Sequence, residues 1–338
     1  MSSTQPKNPE PPAQQQQQQQ QQRIEKGILY IGQAHLAMIN TLSRYPAEDS
    51  NITSESFQWD VGGSAVHGVM TLRQMGALCS FLGAIANDSS SAFLAAKLSE
   101  LNISLDHCPL RAAVGGVSTP VSVVLKSGAT QTATSLHSSC KLTPMTANEF
   151  RKFCETQISF DEVGWVHFEG SNIEETGKMI DYLKHERNSR HLKDLKISLE
   201  IDRPLPGCEM LLNKPDYIFI SRAYAKSKGH NNMGAAVKAL SRAAWAGSTV
   251  IVSWLDKGAA ATIAGGDFKD FWSVLPCPPE NGYVDQHGVE AAFNAGVIFA
   301  LDKGVEIEKA LAFGCQVGGV KQGIKGWIFP DGLELKMF

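Results

Sequence analysis

A regular alternation of apolar runs and helix-like segments extends from residue 163 to residue 317. The predicted strands lie at 163–169, 196–201, 217–221, 249–254 and 258–263. The predicted helices lie at 173–185, 233–246, 291–301 and 307–317. Strands that alternate with helices over short connections indicate a mostly parallel sheet with helices on both faces. The sequence therefore predicts a doubly wound α/β fold.

The first half of the chain adds strands to this sheet and predicts a second, smaller one. Apolar runs at 27–32 and 77–85 indicate buried strands, and helices are predicted up to about residue 75 and from about residue 90 to 101. Val, Thr and Ser alternate through residues 113–136 around a turn at Ser127 and Gly128, which is typical of a hairpin. Together with residues 50–62, this hairpin is expected to form a small inserted β-sheet.

The ends of the chain differ from its centre in composition. Residues 1–24 are rich in Pro, Ser and Gln, with an unbroken run from Gln14 to Gln22, and are expected to be disordered because they have little to bury. Residues 25–330 are long enough for one α/β domain, and residues 331–338 form a short C-terminal tail.

Charge and cysteine usage narrow the class of protein. A formal net charge of −3 gives no electrostatic reason to expect a nucleic acid or an anionic membrane as partner. No apolar run approaches the ~20 residues of a membrane span, and no secretory signal pattern is visible. Seven scattered cysteines without a Cys-x-x-Cys pair indicate reduced thiols in a cytoplasmic protein. The histidines lack ligand spacing, so no metal site is predicted.

The stretch from Tyr283 to Phe299, which reads YVDQHGVEAAFNAGVIF, carries the clearest functional signal. It predicts a turn that leads into a buried helix. The start of such a helix exposes unpaired backbone N–H groups at the positive end of the helix dipole, an arrangement that suits a phosphate.

This stretch resembles the C-terminal signature of the PfkB, or ribokinase-like, carbohydrate kinases, and among them the ketohexokinases. Their signature reads Asp-Thr-x-Gly-Ala-Gly-Asp followed by Thr-Phe-Asn-Ala, and the matching residues here are Asp285, Gly288, Phe293, Asn294 and Ala295. The family's Ala-Gly-Asp corresponds to Val289, Glu290 and Ala291, so an alanine occupies the position of the catalytic base. The resemblance extends over about residues 25–328. It implies a ribokinase-like fold, a small β-sheet lid and a homodimer formed through that lid.

The resemblance also implies where a sugar and a nucleotide would bind. The sugar positions, several of them altered from the family pattern, are Ala37, Gly62, Gly63, Ser64, His67 and Asn172. The nucleotide positions are Trp254, Asp256, Gly258, Ala259, Gly288 and Gly318. Ala37 replaces a sugar-binding aspartate, whereas Ser64 and His67 replace two asparagines. ATP and Mg²⁺ are the cofactors if nucleotide binding is retained; the alternative is that the glycines serve packing only.

Three functions remain open on this basis. A positioned base is worth about 10²–10⁴ in rate, and Ala291 cannot accept a proton. The first hypothesis is therefore a ketohexokinase-like pseudokinase with a binding or regulatory role, whose ligand is a ketose or a nucleotide. The second is an active kinase of fructose or a related sugar that uses a displaced base, with Glu290 as the candidate although it is rotated by about 100° on a helix. The third is a scaffold that binds no small molecule.

Overall fold

The computed structural model describes residues 26–130, 132–266, 268–280, 282–330, 333 and 335–337. The predicted disordered segment 1–24 lies outside the described residues, as does about half of the predicted tail 331–338. Among the residues described, no helix has both the length and the apolar character needed to cross a membrane.

Strands and helices alternate along most of the described chain. The strands are β1 (Gly27–Ile31), β2 (His35–Leu42), β3 (Ser56–Gly62), β4 (Cys79–Leu82), β5 (Ile85–Ala86), β6 (Leu110–Arg111), β7 (Val121–Ser127), β8 (Thr132–His137), β9 (Val163–Glu169), β10 (Lys196–Ile201), β11 (Tyr217–Ser221), β12 (Thr249–Trp254), β13 (Gly258–Ile263) and β14 (Phe271–Val274). The helices are α1 (Ser64–Gln74), α2 (Ser89–Ser99), α3 (Ala147–Thr156), α4 (Ile173–Ser189), α5 (Arg222–Ser227), α6 (Met233–Leu240), α7 (Val289–Asp302) and α8 (Ile307–Gln322).

The large sheet confirms the predicted doubly wound architecture. Within the described residues its strand order is β14-β13-β12-β11-β10-β9-β1-β4. The pairs from β4 to β12 are parallel, and β12, β13 and β14 form an antiparallel edge. The chain leaves β1 toward β4 on one side and later runs from β9 toward β14 on the other. In doubly wound sheets, ligands bind outside the carboxyl ends of the strands at such a switch point.

A separate sheet with the order β3-β2-β7-β8 lies over these strand ends and is called the small sheet below. The predicted hairpin is β7 and β8, paired antiparallel, and only residues 56–62 of the predicted segment 50–62 form a strand. The central strand β2 was not predicted, because only residues 32–34 separate it from β1 and the two read as one segment.

Two apolar cores lie on opposite faces of the large sheet. One contains Trp165, Phe293 and Phe313 beneath α1, α7 and α8, and the other contains Phe168 and Ile180 beneath α4 and α6. Helix α7 is buried on nearly all sides, as expected for a helix enclosed by other layers. Its N-terminus is thereby fixed at the carboxyl edge of the sheet, and this helix start forms one wall of the candidate site.

Candidate functional site

A cavity of about 760 Å³ lies at the carboxyl ends of β1, β9 and β10, beneath β7 and β8. Its walls include Ile31 at the end of β1, Glu169 at the end of β9 and Asp202 just beyond β10. Ser122 and His137 contribute from the small sheet. The volume lies within the roughly 300–1,000 Å³ typical of small-molecule sites.

Most of the predicted sugar-binding residues line this cavity. Gly63, Ser64, His67 and Asn172 all contribute to its walls. Ala37 does not line it: this residue is fully buried in β2 and packs with Ile39 and Val124.

The paired glycines before α1 have a clear packing role. A Cβ on Gly62 would collide with the His35 imidazole, and a Cβ on Gly63, whose φ is 120°, would collide with the Gln33 carbonyl oxygen. At Gly63 the backbone between β1 and β2 leaves no room for a side chain, whereas at Gly62 the His35 ring occupies the space that a side chain would take. Both glycines therefore have a packing role that needs no ligand.

The start of α7 forms the opposite wall. Gly288 caps the helix with φ 75°, and a Cβ there would collide with the Trp327 ring and approach His67. Glu290 and Ala291 both line the cavity, so the predicted rotation of about 100° does not turn Glu290 away from it. Ala291 presents only a methyl group, and Glu290 is the carboxylate that the helix start presents to the cavity.

Buried carboxylates converge below this helix. Glu169 and Glu200 occupy paired positions on the adjacent parallel strands β9 and β10, and both are at least nine-tenths buried. Glu200 accepts a hydrogen bond from the Asn294 amide at 2.8 Å and lies 3.8 Å from His167. Glu169 accepts the backbone N–H of Gln33 at 2.9 Å. Like charges at paired strand positions repel, so this arrangement carries an electrostatic cost.

The pKa values of these carboxyl groups reflect that cost. Burial, followed by the charge of Glu200, raises the pKa of Glu169 to about 8. Burial, followed by the charges of Asp202 and Glu200, raises the pKa of the half-buried Glu290 to about 7. Burial also works against ionised Glu200, but His167, the nearby Ser64 hydroxyl and the hydrogen bond from Asn294 outweigh it and lower the pKa of Glu200. Near neutral pH the cluster is therefore part-protonated.

We predict that Glu169→Gln will make folding stability less sensitive to pH. Because the pKa of Glu169 is raised from 4.5 to about 8 on folding, its protonated form is favoured in the folded state. Its contribution to stability is complete below pH 4.5 and is lost as pH rises toward 8. Glutamine mimics the protonated group, so the variant's unfolding free energy should gain on the order of 3 kcal/mol over that of the natural chain between pH 5 and 8.

Urea unfolding of both proteins across this pH range measures the effect, and the difference between them cancels the contributions of titrating groups that do not interact with Glu169. Glu155→Gln, at an exposed position on α3, is the matched control and should follow the natural chain. A Glu169→Gln difference that stays constant with pH would contradict the raised pKa.

Histidines supply much of the remaining polar wall. His35, His67, His137 and His287 all line the cavity. His67 stacks on Trp327 with ring centroids 3.7 Å apart, and its Nε2 lies 2.8 Å from the Val61 carbonyl oxygen. Burial lowers the pKa of both His35 and His287 to about 4 and that of His67 well below its usual value. These three rings are neutral at pH 7 and present hydrogen-bonding groups without charge.

An ion-pair network ties the small sheet to the turn before α7. Lys126 of β7 lies 2.8 Å from Asp285, and the fully buried Lys321 of α8 lies 3.3 Å from the other carboxylate oxygen. The Lys321 ammonium is also 4.9 Å from the centre of the Trp327 ring. Burial opposes ionisation of Asp285, but the two lysines outweigh it and lower its pKa. The carboxylate therefore stays charged and holds the turn against both elements.

Gly288, one of the predicted nucleotide residues, lines the larger cavity, whereas the space around Gly258 and Gly318 is almost filled by the protein itself. Gly258 and Gly318, together with Val289 and Cys277, line a space of only about 10 Å³. That is about the room one water molecule requires. A Cβ on Gly258 would collide with the Val274 carbonyl oxygen, so a backbone segment lies directly against this glycine. In this conformation the region does not accommodate an adenine ring.

The other predicted nucleotide residues have structural partners. Trp254 is buried in the core with the Arg222 guanidinium 5.0 Å from its ring centre, and Arg222 also pairs with Asp256 at 2.7 Å. Ala259 is fully buried in β13. Among the described residues, no group of three or more His, Cys, Asp or Glu side chains is arranged to hold a metal ion. Trp254, Asp256 and Ala259 therefore have packing or ion-pair roles that need no nucleotide.

Sequence reasoning missed several residues of the cavity. Glu169, Asp202 and Arg203 lie at or just beyond the carboxyl ends of two predicted parallel strands. The rule that places ligands at that edge would have selected them. Lys126 and Lys321, which hold the turn before α7 and do not line the cavity, gave no such signal, because a lysine near the end of a strand or helix is usually an exposed residue.

Comparison with known proteins gives consistent matches over this whole region. The family model for pfkB family carbohydrate kinases matches residues 28–330. Ketohexokinase of Mus musculus is 30% identical over 304 residues, which cover 90% of this chain and 98% of that relative.

Solved structures agree with this fold. Ribokinase from Giardia lamblia has a TM-score of 0.71 at 14% identity, covering 89% of this chain and 95% of that chain. Ribokinase from Arabidopsis thaliana, complexed with ribose and ATP, has a TM-score of 0.68 at 17% identity, covering 89% of this chain and 94% of that chain. At these identities the structural likeness concerns the fold, and function depends on the site.

Proposed function

Because the chain belongs to the pfkB family of carbohydrate kinases, we propose that it is a ketohexokinase-like member that binds a small polyhydroxy ligand and no longer phosphorylates sugars. The predicted family and the ribokinase-like fold are confirmed. The loss of catalysis and the binding or regulatory role are the parts proposed here. Fructose or a related ketose is the first ligand to test, because the mouse relative is a ketohexokinase.

The observation that carries this proposal is the methyl group of Ala291 in the cavity wall at the start of α7. Phosphoryl transfer in this fold depends on positioning, on a group that takes the hydroxyl proton and on donors that hold the phosphoryl group. A methyl group cannot take that proton. The neighbouring Glu290 places a carboxylate at the helix start, where it would repel a phosphoryl group by roughly 4 kcal/mol at ~4 Å.

The nucleotide region supports the same conclusion. A space of about 10 Å³ offers no room for adenine unless the segment against Gly258 moves. The Arabidopsis relative was solved with ATP, so ATP with Mg²⁺ is the nucleotide to test.

An active kinase with Glu290 as base is the second candidate. Glu290 lines the cavity, and its pKa of about 7 is suited to a general base at neutral pH. Against it, the same carboxylate lies close enough to Asp202 and Glu200 for their charges to raise its pKa. A base in that position would also occupy the place where the phosphoryl group must be held.

A kinase assay on purified protein tests both candidates. With ATP, Mg²⁺ and a panel of sugars including fructose, we expect no ADP release above the no-sugar background, and no change in Glu290→Gln. Mouse ketohexokinase serves as the positive control for the assay. Sugar-dependent ADP release that Glu290→Gln abolishes would establish the second candidate and refute the first.

Homodimer formation through the small sheet is also proposed. The exposed side chains of Phe57 and Trp59 on β3 and Leu136 on β8 project from one face of this sheet. The face is suited to burial against a second copy. We expect a dimer in sedimentation equilibrium, weakened by Phe57→Ser with Leu136→Ser; a monomer at micromolar concentration would contradict this.

The seven scattered cysteines support the cytoplasm as the proposed compartment.

A further inference from the structure

We infer that the cavity takes an amine-bearing polyhydroxy ligand, such as an amino sugar, with its ammonium group held against Glu200, Asp202 and Glu290. The inference rests on the binding role proposed above and specifies the chemistry of its ligand. The amine position is new, since the resemblance placed only sugar hydroxyls and a nucleotide in this region.

The ammonium position is a small space below the start of α7. It measures about 20 Å³, and its polar lining includes Glu200, Asp202, Glu290 and the serines Ser64 and Ser253. Ile201, Phe219 and Ile220 form its apolar side. Twenty cubic ångströms is room for one water-sized group, which matches a primary ammonium. Ser64, Asp202 and Glu290 also line the 760 Å³ cavity, so the two spaces share a wall.

An unpartnered buried oxygen marks this space as a site. Glu200 is only 4% exposed, and its Oε2 accepts the Asn294 amide. Its Oε1 makes no hydrogen bond within the described part of the chain. A buried carboxylate oxygen without a donor is costly, and a charged N–H donor satisfies it best. An ammonium group supplies three such donors.

The charge of the surroundings selects a cation over an anion. Asp202 and Glu290 add two carboxylates to that of Glu200, and burial raises the pKa of the first two. Arg203 lines the larger cavity, and its exposed guanidinium pairs with Asp202 at 3.3 Å. Within the described residues, neither Glu200 nor Glu290 has a lysine or arginine as ion-pair partner. A phosphate placed here would meet repulsion, whereas an ammonium would relieve the repulsion among the carboxylates.

The larger cavity suits the rest of such a ligand. Its neutral histidines His35, His67 and His287, with Asn172 and Ser122, offer hydrogen-bond donors and acceptors without charge. Sugar hydroxyls match groups of this kind. The described residues contain no three-ligand group for a metal, so an organic cation is the better fit to the acidic end.

Isothermal titration calorimetry at pH 7, without nucleotide, tests the inference with pairs of sugars that differ by one ammonium group. The pairs are D-glucosamine against D-glucose, and 1-amino-1-deoxy-D-fructose against D-fructose. N-acetyl-D-glucosamine is the uncharged control for size. In at least one pair we expect the amine to bind at least tenfold more tightly than its neutral partner, and N-acetyl-D-glucosamine to show no such gain.

Two variants locate the amine. Glu290→Gln, at a half-buried position, and Glu200→Gln should each reduce amine affinity about tenfold and leave neutral-sugar affinity within twofold. Glu155→Gln on α3 is the matched control and should change neither. Thermal melting establishes that each variant is folded, and if Glu200→Gln fails to fold, Glu290→Gln alone decides.

The outcomes separate this inference from the proposed function. Equal affinities within both pairs, or an amine preference that Glu290→Gln leaves unchanged, would overturn the amine site while the binding role stands. Binding of no sugar of either kind would overturn the amine site and the binding role together. Sugar phosphorylation in the kinase assay would refute the proposal that catalysis is lost, whichever sugar binds most tightly.

Discussion

Phosphoryl transfer from ATP to fructose is expected to be at least about 10²-fold faster in a variant that combines Val289→Ala, Glu290→Gly, Ala291→Asp and Ala37→Asp. The comparison is with the same variant carrying Ala291→Asn. The figure is the low end of the effect of a positioned base, about 10²–10⁴. The low end applies because the backbone segment against Gly258 must still move before a nucleotide can enter.

Each substitution in this variant removes a separate obstacle. Ala291→Asp restores a proton acceptor at a position that lines the cavity. Glu290→Gly removes the carboxylate at the helix start, and Val289→Ala clears bulk from the space beside Gly318. The resemblance implies a sugar-binding aspartate at position 37. Ala37 does not itself line the cavity, but its strand partner Ser122 does, so a longer side chain at position 37 is expected to reach the sugar. We therefore expect little recovery until Ala37→Asp is added.

Ala37→Asp requires one compensating change. Ala37 is fully buried and pairs directly with Asp60 on the neighbouring strand β3. Two carboxylates at directly opposite strand positions repel each other, and burial already raises the pKa of Asp60. Asp60→Asn is therefore introduced in the same variant and in its control.

The control carries Ala291→Asn in an otherwise identical background, so it differs only in the proton acceptor. A coupled assay of ADP release, with and without fructose, compares the two proteins. If both are folded and equally inactive, the cavity cannot hold the substrates in reactive geometry. If both are equally active, a group other than residue 291 takes the proton.

The sequence predicted the fold because its patterns were local and strong. The runs at 163–169, 196–201 and 217–221 became parallel strands with the predicted bounds. Strand β2 was not predicted. It is stabilised by pairing with β3 and β7 in the small sheet, and these strands are distant from it in sequence. Long-range pairing of this kind leaves only a weak local pattern.

The candidate site was predictable in part for the same reason. Gly63, Ser64, His67 and Ala291 were placed by motif, and all four line the cavity. The rotation of about 100° between neighbouring helical residues suggested that Glu290 would point away from the site. Glu290 nevertheless lines the cavity, because the cavity contacts several consecutive residues at the start of α7. The carboxylate environment depends on β9 and β10 pairing in register, which a single sequence does not specify.

Asp285→Asn is expected to lower the free energy of unfolding by about 3–5 kcal/mol, because it leaves a buried cation without its counter-charge. Lys321 is fully buried and has Asp285 as its ion-pair partner at 3.3 Å. Asparagine keeps an oxygen that can still accept the His287 backbone N–H, so the substitution removes mainly the charge. The turn before α7 should retain its shape and lose its electrostatic support.

Two further variants test whether the buried lysine causes the loss of unfolding free energy in Asp285→Asn. All three variants are compared with the natural chain by urea unfolding at pH 7. Lys126→Gln removes the other partner of Asp285, which is partly exposed, and should cost no more than about 1 kcal/mol. Asp285→Asn combined with Lys321→Met should recover much of the stability lost in Asp285→Asn, because an apolar side chain needs no counter-charge beside Trp327. If Asp285→Asn costs no more than Lys126→Gln, the charge of Lys321 is satisfied elsewhere, and the network does not hold the start of α7 in place.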